Sequence, residues 1–311
     1  MINCLIIDPM YPGIVELLAE IGVKADHRPD IKPAEVFEII GNYEGLILRS
    51  KMKIDEKLLE AATKIRFIAR AGAGVDQIAG DVLSRRKITL LNAPEGNRDA
   101  VGEHTLAMLL CLYNNLQIGN KEVRGKKWLR EANRGIELFG RTVGIIGYGN
   151  MGKATARRLS GFGCKVLTYD INPEVEMNED AELVPMERIW EEADVLCMHV
   201  PLNQSSKFMV DNEYLDKFKK NIHFINLARG EVVSLQTLKY GLESGKLLGL
   251  GLDVLENEKL QTLTPEQEEA FDFLCQSDKV IFSPHVGGWT IESYDRINRV
   301  LVEKIGKLLK G

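Results

Sequence analysis

The sequence lacks the features that mark several broad classes of protein. Its five cysteines are widely spaced and form no C-x-x-C pair, so neither a zinc site nor a redox motif is indicated, and we expect no bound metal. Unpaired cysteines are typical of the reducing cytoplasm, where we expect the protein. No apolar run approaches the ~18 residues of a membrane span. The short apolar run at the N-terminus has no basic lead, which argues against a signal peptide.

Positive charge is not in excess either. Lysine and arginine number 40 against 45 aspartates and glutamates, a formal net charge of -5, whereas nucleic-acid-binding domains usually carry a basic patch or stripe. We therefore expect neither nucleic acid nor a membrane as a partner. The 311 residues exceed the ~250–300 at which single hydrophobic cores stop growing, so two domains are expected.

Short apolar runs alternate with longer amphipathic segments along most of the chain. This alternation is typical of repeated βα units and mostly parallel sheets, so we predict an α/β fold. In the first third the predicted strands are 2–7, 45–48, 65–69 and 88–91, and the predicted helices are 12–21, 33–40 and 55–62. A long helix is predicted over 99–118, and a loop follows it over 119–140.

A second series of strands begins after this loop. The predicted strands are 142–146, 165–169, 195–200, 222–227, 247–252 and 280–283. Six strands with intervening helices match a full dinucleotide-binding sheet. The segment 290–310 is predicted to form a helix that returns to pack on the first domain.

The most specific local signal is the run Gly147-Tyr148-Gly149-Asn150-Met151-Gly152. It follows an apolar strand and opens a predicted helix, and Asp170 ends the next strand, which together is the fingerprint of dinucleotide binding. Glycine permits the tight turn at Gly147, the approach of the pyrophosphate at Gly149 and helix–strand packing at Gly152. Asp170 is expected to accept hydrogen bonds from the adenosine ribose and to repel a 2′-phosphate, which favours NAD over NADP.

Three polar side chains follow strand ends in the same half of the chain. Arg229 follows strand 222–227, Glu258 lies five residues after Asp253, and His285 follows the last strand. Open α/β sheets bind ligands outside the carboxyl ends of their strands. Taken singly, each residue has an ordinary structural explanation: a surface ion pair for Arg229, a solvated carboxylate for Glu258 and a structural loop position for His285.

Taken together, the motifs resemble those of the D-isomer-specific 2-hydroxyacid dehydrogenase family along essentially the whole chain. They are residues 70–76 (RAGAGVD), 92–97 (NAPEGN), 103–105 (EHT), the glycine loop, 199–202 (HVPL), 228–230 (ARG), 253–258 and 285–288 (HVGG). The resemblance implies a Rossmann dinucleotide-binding domain inserted into a smaller flavodoxin-like substrate domain. We predict 1–98 plus 287–311 as the substrate domain and 99–286 as the NAD-binding domain.

The resemblance also implies an activity, the transfer of a hydride between NAD and a small anionic D-2-hydroxy or 2-oxo acid. An imidazole suits the proton transfer, as a base in oxidation and an acid in reduction, and His285 is implied in this role. Glu258 is implied as its hydrogen-bond partner, and Arg229 as the group that binds the substrate carboxylate with two parallel bonds. Lys259 stands where many members have proline. Formate-oxidising relatives carry glutamine in place of the catalytic glutamate, so Glu258 argues against that activity.

Cofactor contacts are implied in the same way. Asp253 is expected to meet the nicotinamide carboxamide, and Thr105 the phosphates. The further predicted contacts are Asn150, Met151, Val200, Pro201, Ala228, Gly287 and Gly288.

The sequence leaves the substrate open. Arg49 and Arg70 follow strands of the substrate domain, and in members that oxidise 3-phosphoglycerate arginines at similar places hold the phosphate. Two guanidinium groups suit a doubly anionic ligand, although both arginines also have a structural explanation. Gly74 and Val75 are expected to meet the substrate carboxylate. We therefore expect 3-phosphoglycerate and 3-phosphohydroxypyruvate first, with hydroxypyruvate, glyoxylate or another short 2-oxo acid as the alternative.

Three expectations concern partners and regulation. Some relatives are NAD(H)-sensing transcriptional partners, so a binding protein on the same fold is the alternative class, which measurable turnover would exclude.

The segment 100–117 has apolar residues on more than one side. With its following loop it is expected to form a homodimer contact, and burial within one chain is the alternative. The chain ends after the catalytic core, so we expect no regulatory domain and no serine feedback through one.

Overall fold

The computed structural model describes all residues from Met1 to Gly311 and contains twelve β-strands and twelve α-helices. The strands are β1 (Ile2–Ile6), β2 (Val23–His27), β3 (Gly45–Leu48), β4 (Phe67–Arg70), β5 (Thr89–Asn92), β6 (Thr142–Ile146), β7 (Lys165–Tyr169), β8 (Glu182–Leu183), β9 (Val195–Met198), β10 (Ile222–Asn226), β11 (Leu247–Leu252) and β12 (Val280–Phe282). The helices are α1 (Ile14–Glu20), α2 (Pro33–Ile39), α3 (Glu56–Ala61), α4 (Gly80–Arg85), α5 (Pro94–Tyr113), α6 (Leu116–Arg124), α7 (Asn150–Leu159), α8 (Met186–Glu192), α9 (Asn212–Asp216), α10 (Leu235–Glu243), α11 (Pro265–Gln276) and α12 (Ile291–Lys310).

The chain divides into two compact units. One comprises Met1–Arg98 and Trp289–Gly311, and the other Asp99–Gly288. In sequence, the second unit is therefore an insertion between two parts of the first. No helix combines the length and the apolarity needed to cross a bilayer.

The first unit is built on a five-stranded sheet in the order β2-β1-β3-β4-β5, with every neighbouring pair parallel. This is the 2-1-3-4-5 order of flavodoxin-like folds. In β1 and the residue after it, Leu5 and Ile7 belong to one apolar cluster, and Cys4 and Ile6 to the other. The sheet is thus covered on both faces, which is why its central strands are near-continuous apolar runs.

The C-terminal helix completes this unit. Thr290 caps α12 by accepting a hydrogen bond from the backbone N–H of Ser293. Ile297, Leu301 and Ile305, spaced by four residues along one face of α12, are buried in the cluster that contains Cys4. The prediction that the tail helix packs on the first domain is confirmed.

The second unit is built on a seven-stranded parallel sheet in the order β12-β11-β10-β9-β6-β7-β8. Counted from β6, this is the 3-2-1-4-5-6 order of doubly wound dinucleotide-binding sheets with β12 added at one edge. Apolar clusters again lie on both faces, with Ile145 in one and Ile146 in the other. The strand order reverses between β6 and β9, and the crevice at such a reversal is where these sheets bind ligands. The predicted α/β class, with a Rossmann sheet inserted into a flavodoxin-like one, is confirmed.

The sequence pattern does not predict three short elements, β2, α4 and β8. The five residues of β2 include only one fully buried side chain, Val23, because β2 is an edge strand. β8 has only two residues, and α4 only six.

The prediction of one helix over 99–118 is wrong at both ends. Helix α5 begins at Pro94 and ends at Tyr113, because Asn115 adopts a left-handed conformation with φ 50°. Helix α6 then begins at Leu116 and runs to Arg124, so the first part of the loop predicted over 119–140 is helical.

Candidate active site

The loop between β6 and α7, together with the first turn of α7, can be built only with glycine at two positions. Gly147 has φ +91°, and a Cβ there would lie 2.6 Å from the carbonyl oxygen of His199. A Cβ at Gly152 would collide with the carbonyl oxygen of Gly147. Because the backbone passes this closely at both glycines, the loop is compact and α7 begins next to the end of β6.

Gly149 is different, because a Cβ there would meet no atom within 4 Å. Its backbone faces open space at the N-cap of α7, and no side chain caps this helix end. The backbone N–H groups of the first turn and the positive end of the helix dipole lie at this end, where the N-cap residue has no side chain. A dinucleotide pyrophosphate fits this arrangement in charge and in shape.

Asp170 lies directly after β7, beside the glycine loop. Its Oδ2 accepts a hydrogen bond from the backbone N–H of Tyr148 at 2.7 Å, and its Oδ1 accepts one from Asn172 at 2.9 Å. Both oxygens are therefore fixed in direction, and each retains acceptor capacity, since a carboxylate has about four lone-pair sites. The carboxylate is thus held in place at the end of the strand next to the loop.

A histidine with no predicted role lies beneath the loop. The Nε2 of His199 is 3.0 Å from the hydroxyl oxygen of Thr155 on α7, and its Nδ1 is buried without a hydrogen-bond partner. Burial lowers the pKa of His199 to about 4. The ring is therefore neutral at physiological pH and packs between β9 and α7 without adding charge to the site.

The structure brings His285 and Glu258 together although 26 residues separate them in sequence. Nδ1 of His285 lies 2.8 Å from Oε1 of Glu258, and both side chains are about half exposed, at 47% and 48%. The two side chains are therefore in close polar contact. The carboxylate thus fixes the orientation of the imidazole and leaves Nε2 of His285 for another partner.

The backbone of His285 is in the left-handed region, with φ 55°, which is uncommon for a residue other than glycine. Its N–H donates to the carbonyl oxygen of Asp253 at 2.8 Å. Asp253 is only 3% exposed, and its carboxylate accepts from the N–H groups of Val286 and Gly287, each at 2.8 Å. Asp253 therefore holds both His285 and the two residues that follow it.

Arg229 lies on the turn after β10. The side chain of Asn226, which is fully buried, accepts from the N–H of Ala228 and donates to the carbonyl oxygen of Arg229, each at 3.0 Å. A Cβ at Gly230 would collide with the backbone at Leu255. The turn is thus fixed from within and pressed against the segment that leads to Glu258.

The remaining predicted cofactor residues are placed as follows. Thr105 is 1% exposed, and its hydroxyl donates to the carbonyl oxygen of Val101 at 2.8 Å, so a phosphate contact would require this hydrogen bond to break. Val200 and Pro201 follow β9, and Ala228 is buried beside Arg229. Gly287 and Gly288 follow His285, and a Cβ at Gly287 would lie 2.9 Å from Oδ2 of Asp253.

A mostly apolar cavity of about 400 Å³ adjoins the Glu258–His285 pair. Its apolar lining residues are Leu255, Leu260, Phe271, Phe282 and Pro284. Low-dielectric walls strengthen electrostatic interactions at their surface. On this side, the contact between Glu258 and His285 therefore meets an apolar surface.

In the first unit, Arg49 and Arg70 lie at the carboxyl ends of the neighbouring strands β3 and β4. The guanidinium carbon of Arg49 lies 3.8 Å from the ring centroid of Trp289 and 5.0 Å from that of Tyr294. The Arg49 side chain has no hydrogen-bond acceptor or acidic partner in the structure, whereas its backbone N–H donates to Asp8 at 2.7 Å. Arg49 is thus held by stacking on aromatic rings, and its N–H donors are available.

The loop after β4 carries Arg70 and the other predicted substrate contacts. The guanidinium of Arg70 lies against Gly72, where a Cβ would collide with it and where φ is +140°. The side chain of Asn92 donates to the carbonyl oxygen of Ala73 at 2.7 Å. Gly74 and Val75 follow in this same loop, partly exposed.

Sequence reasoning did not assign roles to Trp289, His104 or Ser283, which contact the predicted residues. Trp289 is one of only three tryptophans and directly follows the motif 285–288. His104 lies within the motif 103–105, and Ser283 ends the strand that leads to His285. In the sequence, the available signal for these three residues is that each lies inside or beside a motif. Their contacts involve residues that are distant in sequence, so the sequence alone does not indicate them.

Comparison with known proteins agrees with this geometry. Residues 106–287 match the family model described as "D-isomer specific 2-hydroxyacid dehydrogenase, NAD binding domain". Over 306 residues the chain is 32% identical to a hydroxypyruvate reductase of Thermotoga maritima, covering 97% of this chain and 96% of the relative. It is 31% identical over 309 residues to human D-3-phosphoglycerate dehydrogenase, covering 99% of this chain but only 56% of that relative.

Among solved structures, a D-lactate dehydrogenase of Aquifex aeolicus in complex with NAD and lactic acid superposes with a TM-score of 0.84 and 26% identity. The match covers 99% of this chain and 96% of that one. Family model, relatives and solved structure thus point to the same family, and NAD, which the family model and the solved structure name, is the cofactor for which the glycine loop and Asp170 are suited. The chain belongs to the D-isomer-specific 2-hydroxyacid dehydrogenases and is an NAD-dependent oxidoreductase.

Proposed function

We propose that the protein interconverts a D-2-hydroxy acid and its 2-oxo acid, with His285, Glu258 and Arg229 as the reacting and binding groups. The observation that carries this proposal is the 2.8 Å contact between Nδ1 of His285 and Oε1 of Glu258. A histidine oriented by a carboxylate is a common arrangement for positioned proton transfer. It supplies what the oxidation of a secondary alcohol requires of the protein.

Each residue has a distinct task in this proposal. NAD, when bound, accepts the hydride from C2 of the hydroxy acid or returns it to the oxo acid as NADH. Nε2 of His285 takes the proton from the C2 hydroxyl in oxidation and returns it to the carbonyl oxygen in reduction. Glu258 fixes the tautomer and orientation of the imidazole. Arg229 binds the carboxylate of the acid with two parallel hydrogen bonds.

For the cofactor, we propose that Gly149 and the start of α7 hold the pyrophosphate and that Asp170 holds the adenosine ribose. Asp253 accepts one hydrogen bond at Oδ2, from Gly287, and so has acceptor capacity for the carboxamide of the nicotinamide. We therefore assign NAD binding to the unit Asp99–Gly288 and propose substrate contacts for residues of the unit Met1–Arg98 with Trp289–Gly311.

For the substrate, we propose 3-phosphoglycerate and 3-phosphohydroxypyruvate. The support comes from Arg49, a partly buried cation stacked on Trp289 that has no acidic partner. Buried or partly buried charges are usually paired, so such a cation is suited to an anionic ligand. A phosphate offers the matching acceptors for the planar guanidinium. Hydroxypyruvate and glyoxylate are the alternative substrates, and relatives named for hydroxypyruvate and for phosphoglycerate both match the chain.

A panel of 3-phosphohydroxypyruvate, hydroxypyruvate and glyoxylate, each reduced with NADH, tests both parts of the proposal. His285→Ala is expected to lower kcat about 10²–10⁴-fold on every accepted acid, with NADH affinity retained. Arg49→Ala is expected to raise KM for the phosphorylated acid roughly tenfold or more, whereas Arg28→Ala, which removes an exposed arginine paired with Asp26, leaves KM unchanged.

Two outcomes would contradict the proposal. Parental turnover in His285→Ala would remove this histidine from the reaction. An unchanged KM in Arg49→Ala, or no reduction of the phosphorylated acid by the parent, would overturn the substrate assignment in favour of the shorter acids. If no acid were turned over while NADH bound tightly, the chain would instead be an NAD(H)-sensing binding protein.

We also propose that the protein is a homodimer. None of the residues of α6 is buried, and this helix and the following loop expose six large apolar side chains within a short stretch. They are Leu116, Val123, Trp128, Leu129, Ile136 and Phe139. Clustered exposed apolar residues mark interaction surfaces, whereas scattered ones do not.

Sedimentation velocity tests the dimer. The double change Trp128→Ser and Phe139→Ser is expected to shift the parent from dimer to monomer, because both side chains are among the most exposed apolar groups. Ile291→Ser is the matched control, since Ile291 is similarly exposed at 76% but lies outside this stretch. A monomeric parent, or a dimer that survives the double change, would contradict the proposal.

A further inference from the structure

A chain of hydrogen bonds links helix α5 to the loop that carries His285. Nε2 of His104 lies 2.9 Å from the hydroxyl oxygen of Ser283, and the Ser283 hydroxyl donates to Oδ1 of Asp253 at 2.5 Å. Because serine has only one hydroxyl proton, and Asp253 receives it, His104 must be the donor to Ser283. The order of donation is therefore fixed: His104 to Ser283, and Ser283 to Asp253.

Asp253 is the centre of this arrangement. The same Oδ1 accepts from the N–H of Val286, and Oδ2 accepts from the N–H of Gly287. The carbonyl oxygen of Asp253 accepts from the N–H of His285. The carboxylate and the carbonyl of one residue thus hold three consecutive backbone N–H groups, and the first of these belongs to the residue in the left-handed conformation.

A left-handed backbone at a residue other than glycine persists only where its surroundings impose it. Here the imposing groups are the bonds from Asp253, and the direction of its carboxylate depends on Ser283. Without a donor from His104, the Ser283 hydroxyl keeps only its bond to Asp253, so the position of its oxygen is less firmly fixed. The direction of Asp253, and through it the aim of the His285 ring toward Glu258, would then be less well defined.

We infer that His104 is a positioning residue for His285, acting through Ser283 and Asp253 and touching neither substrate nor cofactor. The inference rests on the proposed role of His285 in proton transfer. His104 lies on α5 with its side chain 28% exposed. Its Nε2 is also 3.7 Å from Oδ1 of Asp253, the oxygen that the Ser283 hydroxyl contacts.

The test compares His104→Ala, which removes the donor, with His104→Gln, whose side-chain amide supplies an N–H at nearly the position of Nε2. Ser283→Ala interrupts the chain at its second member. Glu103→Gln is the matched control, because it changes the neighbouring, exposed residue of α5, whose carboxylate pairs with Arg158. Alanine and glutamine are both good helix formers, so α5 is expected to persist in the variants at this position.

The first readout uses the protein without cofactor. Amide hydrogen exchange of the segment 283–288 is expected to be several-fold faster in His104→Ala and Ser283→Ala than in the parent, and near parental in His104→Gln and Glu103→Gln. The second readout is the reduction of hydroxypyruvate or glyoxylate, whichever the parent accepts. kcat is expected to fall about threefold to tenfold in His104→Ala, the effect of one hydrogen bond, with KM for the oxo acid within twofold of the parent and recovery in His104→Gln.

The outcomes separate this inference from the proposed function. If His285→Ala abolishes turnover while His104→Ala keeps the parental kcat and exchange rates, the inference fails and the proposed function stands. If His104→Gln is impaired as much as His104→Ala, the side chain acts otherwise than by donating to Ser283. If His285→Ala is fully active, the role of His285 fails, and the exchange rates alone still decide whether His104 holds the loop.

Discussion

Two glycines of the nucleotide-binding loop meet opposite surroundings, and replacing each with alanine should therefore have opposite effects. A Cβ at Gly152 would overlap the carbonyl oxygen of Gly147, whereas a Cβ at Gly149 would meet no atom within 4 Å. Gly149 also has an ordinary φ of -77°, so alanine is tolerated there without backbone strain. The first substitution should damage the fold, and the second only what approaches the loop from outside.

The magnitudes follow from these contacts. At Gly152, overlap with a backbone oxygen that cannot rotate away costs about 3 kcal/mol, the upper part of the range for overpacking. The better helix propensity of alanine returns about 1 kcal/mol. The net loss of about 2 kcal/mol lowers Tm of a unit of this size by about 4–8 °C. Gly149→Ala is expected to leave Tm unchanged or slightly raised.

For NADH affinity the order of the two effects should be reversed, with the larger loss in Gly149→Ala. A methyl group at Gly149 occupies the space through which the pyrophosphate approaches the backbone, and overlap of about 1–3 kcal/mol corresponds to a Kd for NADH about 5–150-fold higher. Thermal unfolding and fluorescence titration with NADH measure the two effects on the same samples. Gly161→Ala is the matched control, since its Cβ also meets nothing within 4 Å and it lies past the far end of α7. Parental NADH affinity in Gly149→Ala would refute the assignment of this space to the pyrophosphate.

Three further predictions concern cofactor choice, acid stability and packing. Asp170→Ala is expected to reduce the preference for NADH over NADPH at least tenfold, because it removes the negative charge that repels a 2′-phosphate; equal kcat/KM ratios in variant and parent would contradict this. Burial lowers the pKa of both His199 and His223 to about 4, below the ~6.5 of an unfolded histidine, so the unfolded state takes up protons first and stability is lost as pH falls from 6.5 toward 4. Each histidine is expected to lower the free energy of unfolding by about 2 kcal/mol between pH 7 and pH 5. The urea midpoint should therefore be lower at pH 5 and be partly restored in His223→Phe. Identical midpoints at the two pH values would exclude this effect. Leu301→Ala is expected to cost about 2–5 kcal/mol, because Leu301 is fully buried under the first sheet; a change in unfolding free energy below about 1 kcal/mol would show that α12 contributes little to this core.

The parts of the fold that could be predicted from the sequence are those whose burial leaves a mark on residue type. β3 and β9 are buried along their whole length, so each is an apolar run without polar interruption. β2 lies at an edge with polar residues along it, and α6 buries none of its residues. An element that buries few side chains shows little hydrophobic periodicity. The sequence pattern therefore does not predict β2, and it assigns most of α6 to a loop.

The site divides in a similar way. The glycine loop is local, so its spacing alone indicated a dinucleotide. Nothing in the spacing of Glu258 and His285 indicates a contact between them, and only the resemblance to a family suggested that pairing. The hydrogen bonds of Asp253 to the loop after β12, and the stacking of Arg49 on Trp289, join segments from distant parts of the chain. Such contacts depend on strand order and loop geometry, which composition and periodicity do not encode.

The split of the first unit between the two ends of the chain has a consequence for biosynthesis. Ribosomes add about 5–20 residues per second, so the ~190 residues of the inserted unit separate synthesis of Arg98 from that of Trp289 by about 10–40 s. During this interval the five-stranded sheet exists without α12, and the apolar face that Leu301 later covers is open to solvent. The dinucleotide-binding unit, in contrast, is encoded without interruption and can fold first. Nascent chains are therefore expected to be most prone to aggregation, and most dependent on chaperones, just before the last helix emerges.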